Sequence, residues 1–497
     1  MEGSKLHVVV VPAIIQGHLI PFMELAKLLA SEGLTVSYIT TPGSAKRLQP
    51  QVQGSNLDIR LVSLPMPAME GVPQGIDSWD NVPLHLVNIL MPSSHKLSGS
   101  FEQWLEQQID DTNKVSKNME APFSSPPPVC IICDMFMGWV HSSGAKFRIP
   151  TLVFHTSGAF GVSVMHSLLK YAPQKSVERD DELFEVPALY FDLKLRKSDL
   201  PVMIRDLGSN PSWDFIREEI NQSVESRAGI LINTFCELES VGIDHMKRLT
   251  GRPVWSIGPL LPPAAFHGMR IDRGNMNSRG KTTDIDEQQC LRWLDSQRPQ
   301  SVVFVCFGSL FFPNNDQIRA LAAGLEASGQ AFVWAIRRSE PEPNSKAAEV
   351  CLPEGFEDRT RQRGLVIWGW APQLLILSHP SVGAFLSHRG WNSALESVTM
   401  GVPMITWPMI AEQSFNSKLL TESLGIGIQI CLDVSSVPGE EEVRRAVTML
   451  VAEEEGEKMR MKAKELGSFA KMAVEKEGSS YNNLQSFVQH IKKLPKS

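Results

Sequence analysis

The chain has 497 residues, 42% hydrophobic and 21% charged, enough for two or three domains with cores of their own. Acidic residues outnumber basic ones 55 to 48, a formal charge of −7, so bulk charge gives no support for nucleic acid or an anionic membrane as partner. Seven cysteines scattered through apolar runs exclude a disulfide scaffold and fit reduced core thiols, and no apolar stretch of about 18 residues marks a membrane span.

The first apolar run, residues 6–11, holds four consecutive valines, as in a strand of a parallel sheet covered on both faces. Lys5 ahead of it imitates a secretion signal, but Pro12 breaks the run, Gln16, Gly17 and His18 end it, and no cleavage pattern follows. A soluble, cytoplasmic protein is expected. A helix is predicted from about His18 to Ser31, with Leu19, Phe22, Met23, Ala26 and Leu29 inward and Gly33 closing it. Residues 35–40, 59–64, 129–133, 151–155 and 229–234 have the composition of further strands. Cys130 and Cys133 fall inside one of these, and without a second pair their spacing indicates core rather than zinc. This alternation predicts a doubly wound α/β domain over residues 1–258.

Gly, Asn, Arg and Asp crowd the stretch from Pro262 to about Glu287 without apolar periodicity, which predicts a linker over 259–287. The rhythm restarts with a strand at 302–307, a helix at 316–328 stopped by Gly329, and a strand at 331–336. A second doubly wound domain over 288–475 follows, with a ligand cleft between the two halves. In the tail, 476–497, Ser479 and Ser480 are candidate caps of a last helix whose Leu484, Phe487, Val488 and Ile491 form one stripe. That stripe must dock on its own half or back across the first.

Two residues stand at carboxyl ends of predicted strands, where ligand sites gather in such sheets. His18 follows the first strand and Asp134 follows residues 129–133. Each alone is an ordinary helix cap. Together they supply an imidazole titrating near neutral pH and a carboxylate to orient it and stabilise the imidazolium, the parts of a general base. Further along, residues 385–387 end a strand and His388 to Ser393 open a helix. Free N–H groups and the positive end of the helix dipole there suit a diphosphate, with His388, Ser393 and Ser309 adding hydrogen bonds. No acidic Asp-x-Asp metal site is read, so neither a metal nor a resident cofactor is expected.

The 44-residue run WAPQLLILSHPSVGAFLSHRGWNSALESVTMGVPMITWPMIAEQ, residues 370–413, resembles the signature box of the plant secondary-product UDP-glycosyltransferases in length and in most fixed positions. QGHLIP near the start, CDMFMGWV around Asp134, NTFCELE over 233–239 and CFGS over 306–309 are similar to other landmarks of that family. The resemblance implies an α/β protein of GT-B type: two facing Rossmann-like, doubly wound domains with the active site in the interdomain cleft. It implies inverting transfer of glucose from UDP-glucose, a co-substrate, to a hydroxyl of a small lipophilic acceptor, with the His18–Asp134 dyad as base.

For the donor, the resemblance implies Trp370 stacked on the uracil beside Ala371, Gln373 near the ribose, and Glu396 accepting from the ribose hydroxyls. It places His388, Asn392, Ser393 and Ser309 at the diphosphate, and Glu412 and Gln413 on sugar hydroxyls. In relatives, Trp at the place of Trp391 and Gln at that of Gln413 go with UDP-glucose. Arg389 departs from the family, which usually carries Cys there, and its side chain is expected to point outward. Ala384, Ala394 and Ser397 are milder departures.

The acceptor pocket is predicted near Phe22, Met135, Phe136, Trp139, Phe154, His155 and Phe160, part of them plain core, an apolar lining suited to flavonoids and other phenolics, terpenoids or steroids. O-, C- and N-transfer would all use a base at His18. A nucleotide-sugar-binding protein without turnover is the rival, disfavoured by the retained pair His18 and Asp134. A monomer is expected.

Overall fold

Valines fill both faces of β1 (His7–Val11), every residue of which is buried, because β-branched side chains suit a pleated, two-sided core. The computed structural model describes residues 5–73, 75–80, 82, 84–115, 126–206, 211–224, 226, 228–266, 283–308, 313–337, 352–431 and 436–494. After β1 come β2 (Thr35–Thr40), β3 (Ile59–Ser63), β4 (Pro128–Asp134) and β5 (Thr151–His155). A small antiparallel hairpin, β6 (Leu183–Glu185) and β7 (Lys194–Arg196), interrupts the alternation before β8 (Ile230–Ile232) and β9 (Val254–Ser256). The first sheet is parallel, in the order β3-β2-β1-β4-β5-β8-β9.

The second sheet uses β10 (Val302–Cys306), β11 (Ala331–Ile336), β12 (Gly364–Trp368), β13 (Val382–Ser387), β14 (Met404–Thr406) and β15 (Gly427–Gln429). It too is parallel, in the order β12-β11-β10-β13-β14-β15. The two sheets share one winding rule. In each the chain runs outward on one side of a central strand, then returns to the other side. The direction reverses between β1 and β4, and again between β10 and β13, so the loops after those strands diverge and open a crevice. The architecture is the two-domain α/β fold expected from the sequence, and it fixes where chemistry can sit.

The halves are packed together. A single apolar cluster joins Phe160, Phe235 and Leu238 of the first to Trp391, Phe415 and Leu419 of the second. The long helix Glu454–Val474 touches both the helix Trp391–Met400 and the helix Cys236–Thr250. The last helix, Ser479–Lys492, returns to the first sheet, where Leu484, Phe487, Val488 and Ile491 share a core with Val8, Val10 and Trp255. Its serines do not cap it. Gly478 is the N-cap, while Ser480 Oγ donates to the Gly258 carbonyl at 2.5 Å and Ser479 Oγ to Glu237 at 2.8 Å. These hydroxyls fasten the helix to the first half.

Among the described residues no helix is long and apolar enough to cross a membrane. Cys130 and Cys133 are unpaired and buried on β4, and burial pushes both thiols up, away from reactivity.

Candidate active site

Beyond β1 the chain turns into the helix Gln16–Ser31 and sets His18 in its first turn, above the first switch point. Asp134 ends β4, whose Cys133 pairs with Val11, so the two residues emerge side by side. His18 Nδ1 donates to Asp134 Oδ2 at 2.6 Å, and the Phe136 N–H donates to Asp134 Oδ1 at 3.0 Å. A carboxylate only accepts, so the proton sits on Nδ1 and Nε2 keeps its lone pair. Burial opposes the imidazolium, but the Asp134 charge and hydrogen bond, with Glu412 and Asp80 behind them, outweigh it and raise His18 above 6.5. Thr156 Oγ1 lies 3.2 Å from Nδ1, and the Phe136 ring is tilted against the imidazole at 5.4 Å.

The wall of aromatic residues divides. Phe136 stands beside the base, whereas Phe22 and Phe154 pack edge to face at 4.9 Å, fully buried in the first core. Met135 and Trp139 belong to the cluster on the opposite face of that sheet, and Phe160 to the cluster between the domains. His155 is fully buried, and both its ring nitrogens lack partners among the described residues; burial brings it down to about 4 and keeps it neutral.

The second switch point is built alike with the opposite electrostatics. β13 ends at Ser387, and His388, Arg389 and Gly390 turn the chain into the helix Trp391–Met400. No side chain caps that helix, so the N–H groups of its first turn remain for a ligand. The His388 ring fills the place where any side chain at Gly308 would stand, and Gly308 itself adopts φ +71°. Burial brings His388 down to about 4, so it is a neutral ring.

Hydrogen bonds carry one half to the other. Asn392 Nδ2 donates to the Gly17 carbonyl at 2.7 Å, Trp391 Nε1 to the Asn233 carbonyl at 2.6 Å, and Ser157 Oγ to Glu412 Oε1 at 3.1 Å. The first of these sets the uncapped helix end against the residue preceding His18. The turn that carries His18 and the start of the helix Trp391–Met400 are thereby held together.

At the far end of the cradle, Gln373 Nε2 donates to Ser393 Oγ at 3.1 Å and to Glu396 Oε2 at 2.7 Å, bringing three of the expected residues together. Trp370 is half-buried; its N–H donates to Asp284 Oδ2 at 2.6 Å, and the Arg337 guanidinium lies 6.0 Å over its ring. Ala371 is buried, and its carbonyl accepts the Gln373 N–H at 2.8 Å. Gln413 Oε1 accepts the N–H groups of Met409 at 2.9 Å and Ile410 at 3.1 Å, which leaves its Nε2 as the donor group. Ser309 lies outside the described residues.

An Asp-x-Asp spacing, Asp284 and Asp286, does occur in the sequence, but the first holds the Trp370 backbone and the second caps the helix Glu287–Asp295. Among the described residues no group of three or more His, Cys, Asp or Glu is arranged to hold a metal ion. Arg389 does not point outward. At φ +70° its side chain turns inward and is fully buried, with Nη1 donating to the carbonyls of Asn416 at 3.3 Å and Ser417 at 3.5 Å. The left-handed turn into the helix reverses the side chain away from solvent.

Several contributors carried no role in the sequence. Asn233 and Glu239 belong to the NTFCELE landmark, and the fold explains it: the Asn233 carbonyl receives Trp391, and the Glu239 carboxylate accepts the N–H groups of Ala159 at 3.0 Å and Phe160 at 2.9 Å. Burial pushes Glu239 up to about 7 against those bonds. Thr156, Ser157 and Asp284 sit in loops, and only the tertiary fold brings them to the gap.

Comparison with known proteins agrees with this fold. Residues 272–466 match the family model for UDP-glucoronosyl and UDP-glucosyl transferases, and residues 4–117 match a glycosyltransferase N-terminal domain. UDP-glycosyltransferase 73B4 of Arabidopsis thaliana is 35% identical over 99% of both chains. Scopoletin glucosyltransferase of Nicotiana tabacum is 37% identical over 98% of both. The crystal structure of UGT73P12 of Glycyrrhiza uralensis, complexed with glycyrrhetinic acid 3-O-monoglucuronide, superposes with a TM-score of 0.83 at 30% identity, covering 99% of this chain and 96% of that one.

Proposed function

The chain belongs to the plant UDP-glycosyltransferase family, and on that premise we propose that it transfers glucose from UDP-glucose, with inversion, to a hydroxyl of a small lipophilic acceptor, His18 serving as base. Glycosyl transfer from a UDP-sugar to a small acceptor comes with the family. The observation that carries the finer reading is the 2.7 Å bond from Asn392 to Gly17, because it brings the imidazole and the anion cradle to the same gap.

In this reading His18 Nε2 takes the acceptor proton as the acceptor oxygen bonds to the anomeric carbon. The bond from that carbon to the diphosphate oxygen breaks, and its electron pair leaves with UDP. Asp134 stabilises the imidazolium, and the uncapped helix end with neutral His388 meets the charge on the leaving group. Attack opposite the leaving group converts an α-linked donor into a β-glycoside. Trp370 and Ala371 take the base, Gln373 and Glu396 the ribose, His388, Ser393 and Ser309 the diphosphate, and Glu412 and Gln413 the sugar, while Asn392 holds the helix end against Gly17. Trp391 and Gln413 support glucose. No metal takes part in this scheme.

Phe136 beside His18 supports a ring-bearing acceptor, phenolic or terpenoid. Burial that pushes the thiols of Cys130, Cys133, Cys290 and Cys306 up supports the reducing setting of a cytoplasmic enzyme.

The test is incubation with UDP-glucose, with and without EDTA, and a panel of phenolic and terpenoid alcohols, following UDP release, product mass and the anomeric coupling by NMR. A β-O-glucoside formed at an EDTA-independent rate is expected. An α product eliminates direct displacement. Turnover confined to another UDP-sugar eliminates glucose, and a carbon- or nitrogen-linked product replaces the hydroxyl as acceptor.

A further inference from the structure

Arg389 is the largest unexplained cost in the second half. Its Nε and Nη2 have no hydrogen-bond partner among the described residues, and burial alone disfavours its charge, with no carboxylate offsetting it. A guanidinium does not lose its proton in a protein, so the fold carries that penalty, offset only by what Nη1 meets.

The surroundings show what the cation does. Its backbone belongs to the turn between His388 and the helix Trp391–Met400. Its guanidinium reaches the carbonyls of Asn416 and Ser417, at the end of the helix Gln413–Lys418, where the helix dipole is negative and the chain widens into the π-turn Leu419–Ser423. Asn416 Nδ2 returns a bond to the Arg389 carbonyl at 3.2 Å. Turn and helix are therefore tied in both directions. The space is made by Gly427 on β15, where an added Cβ would come 2.9 Å from Nη2 and 3.1 Å from the Met404 carbonyl. The same helix begins at Gln413, directly after Glu412.

From this arrangement we infer that Arg389 is a positioning residue that couples the diphosphate turn to the helix presenting Glu412 and Gln413, so that the sugar is read in register with the phosphates. The inference rests on the donor-site reading above. The guanidinium touches no donor atom in this scheme. It sets the spacing between two donor contacts made by other residues, so its loss acts on a ligand that spans both, UDP-glucose, and not on UDP, which reaches the turn but not the helix.

The test uses the full-length protein with Arg389→Met, Arg389→Lys and Gly427→Ala, the last leaving the charge in place and displacing it. Binding of UDP is measured by calorimetry, and KM for UDP-glucose and UDP-galactose in steady state. Arg389→Met and Gly427→Ala are expected to raise KM for UDP-glucose about tenfold and to narrow its preference over UDP-galactose, while UDP affinity stays within about twofold. Arg389→Lys, a cation without the second arm, recovers part of the loss. If UDP affinity falls in step with KM, or KM and preference stay unchanged in the variants that fold, Arg389 is not the coupling. Should Arg389→Met fail to fold, Gly427→Ala and Arg389→Lys separate the same two outcomes. Failure of the wild type to bind UDP at all would instead overturn the donor-site reading.

Discussion

Two histidines occupy comparable places in the two sheets, and the fold uses them in opposite ways. His18 and His388 each follow a strand bordering the switch point of its sheet, each next to the start of a helix. His18 meets a carboxylate at 2.6 Å and is raised above 6.5. His388 meets the bare backbone of Gly308 and is brought down to about 4 by burial. The first can hold a proton taken from an acceptor. The second stays neutral and offers only a hydrogen bond. Neither the residue type nor its topological place decides the role; the partner does.

That contrast breaks most sharply at the base. His18→Ala should lower kcat about 10³- to 10⁴-fold and leave UDP binding intact, because a positioned base contributes on that scale and the nucleotide site lies on the other half. Single-turnover rates and calorimetry check both arms, and unchanged turnover removes His18 from the chemistry. Asp134→Asn comes next, at about 10²- to 10³-fold, with a diagnostic change in pH dependence. The base works only when neutral, so activity rises as pH climbs through the His18 value, above 6.5 in the wild type. Without the carboxylate, burial is opposed only by Glu412 and Asp80, so the acid limb of kcat/KM moves to lower pH. A limb that stays put would assign the ionisation elsewhere. His388→Ala should cost about 10- to 100-fold in kcat/KM for the donor, the worth of a hydrogen bond to a charged group, and weaken UDP binding without shifting the limb. A shift of the limb would erase the distinction between the two rings.

How much of this is legible in the sequence follows from what kind of interaction makes each part. β1 and β10 declare themselves because a strand buried on both faces requires a continuous β-branched run. His18 and Asp134 are readable because strand ends at a switch point collect ligands whatever the rest does. The helix opened by Trp391 is legible through its box. The direction of Arg389 is not, since it depends on one left-handed residue and on the space left by Gly427, 38 positions along the chain. The bonds of Ser157 to Glu412 and of Trp391 to Asn233 join residues 255 and 158 positions apart, and no local pattern encodes a contact between two separately folding halves. NTFCELE stands out as a string with no role of its own, because its partners lie far along the chain: Trp391 in the other half for Asn233, Ala159 and Phe160 for Glu239.

The smallest predicted effect probes the seam between the two halves. Asn392 was expected at the diphosphate, yet its Nδ2 is committed to the Gly17 carbonyl at 2.7 Å, so its first duty is to hold the halves together. A neutral hydrogen bond contributes on the order of 1 kcal/mol, so Asn392→Ala should lower kcat by less than about tenfold. Since the bond belongs to neither ligand, UDP and acceptor binding measured separately should stay near wild type. Ser157→Ala removes another strap across the same gap, at Glu412. If both straps act by closing one interface, the double variant departs from additivity by about 0.5 kcal/mol or more in kcat; independent contacts would add within a few tenths. Additive effects, or an Asn392→Ala loss as large as that of His388→Ala and confined to UDP affinity, would make Asn392 an ordinary phosphate ligand and leave the approach of His18 to the cradle to the apolar cluster between the domains.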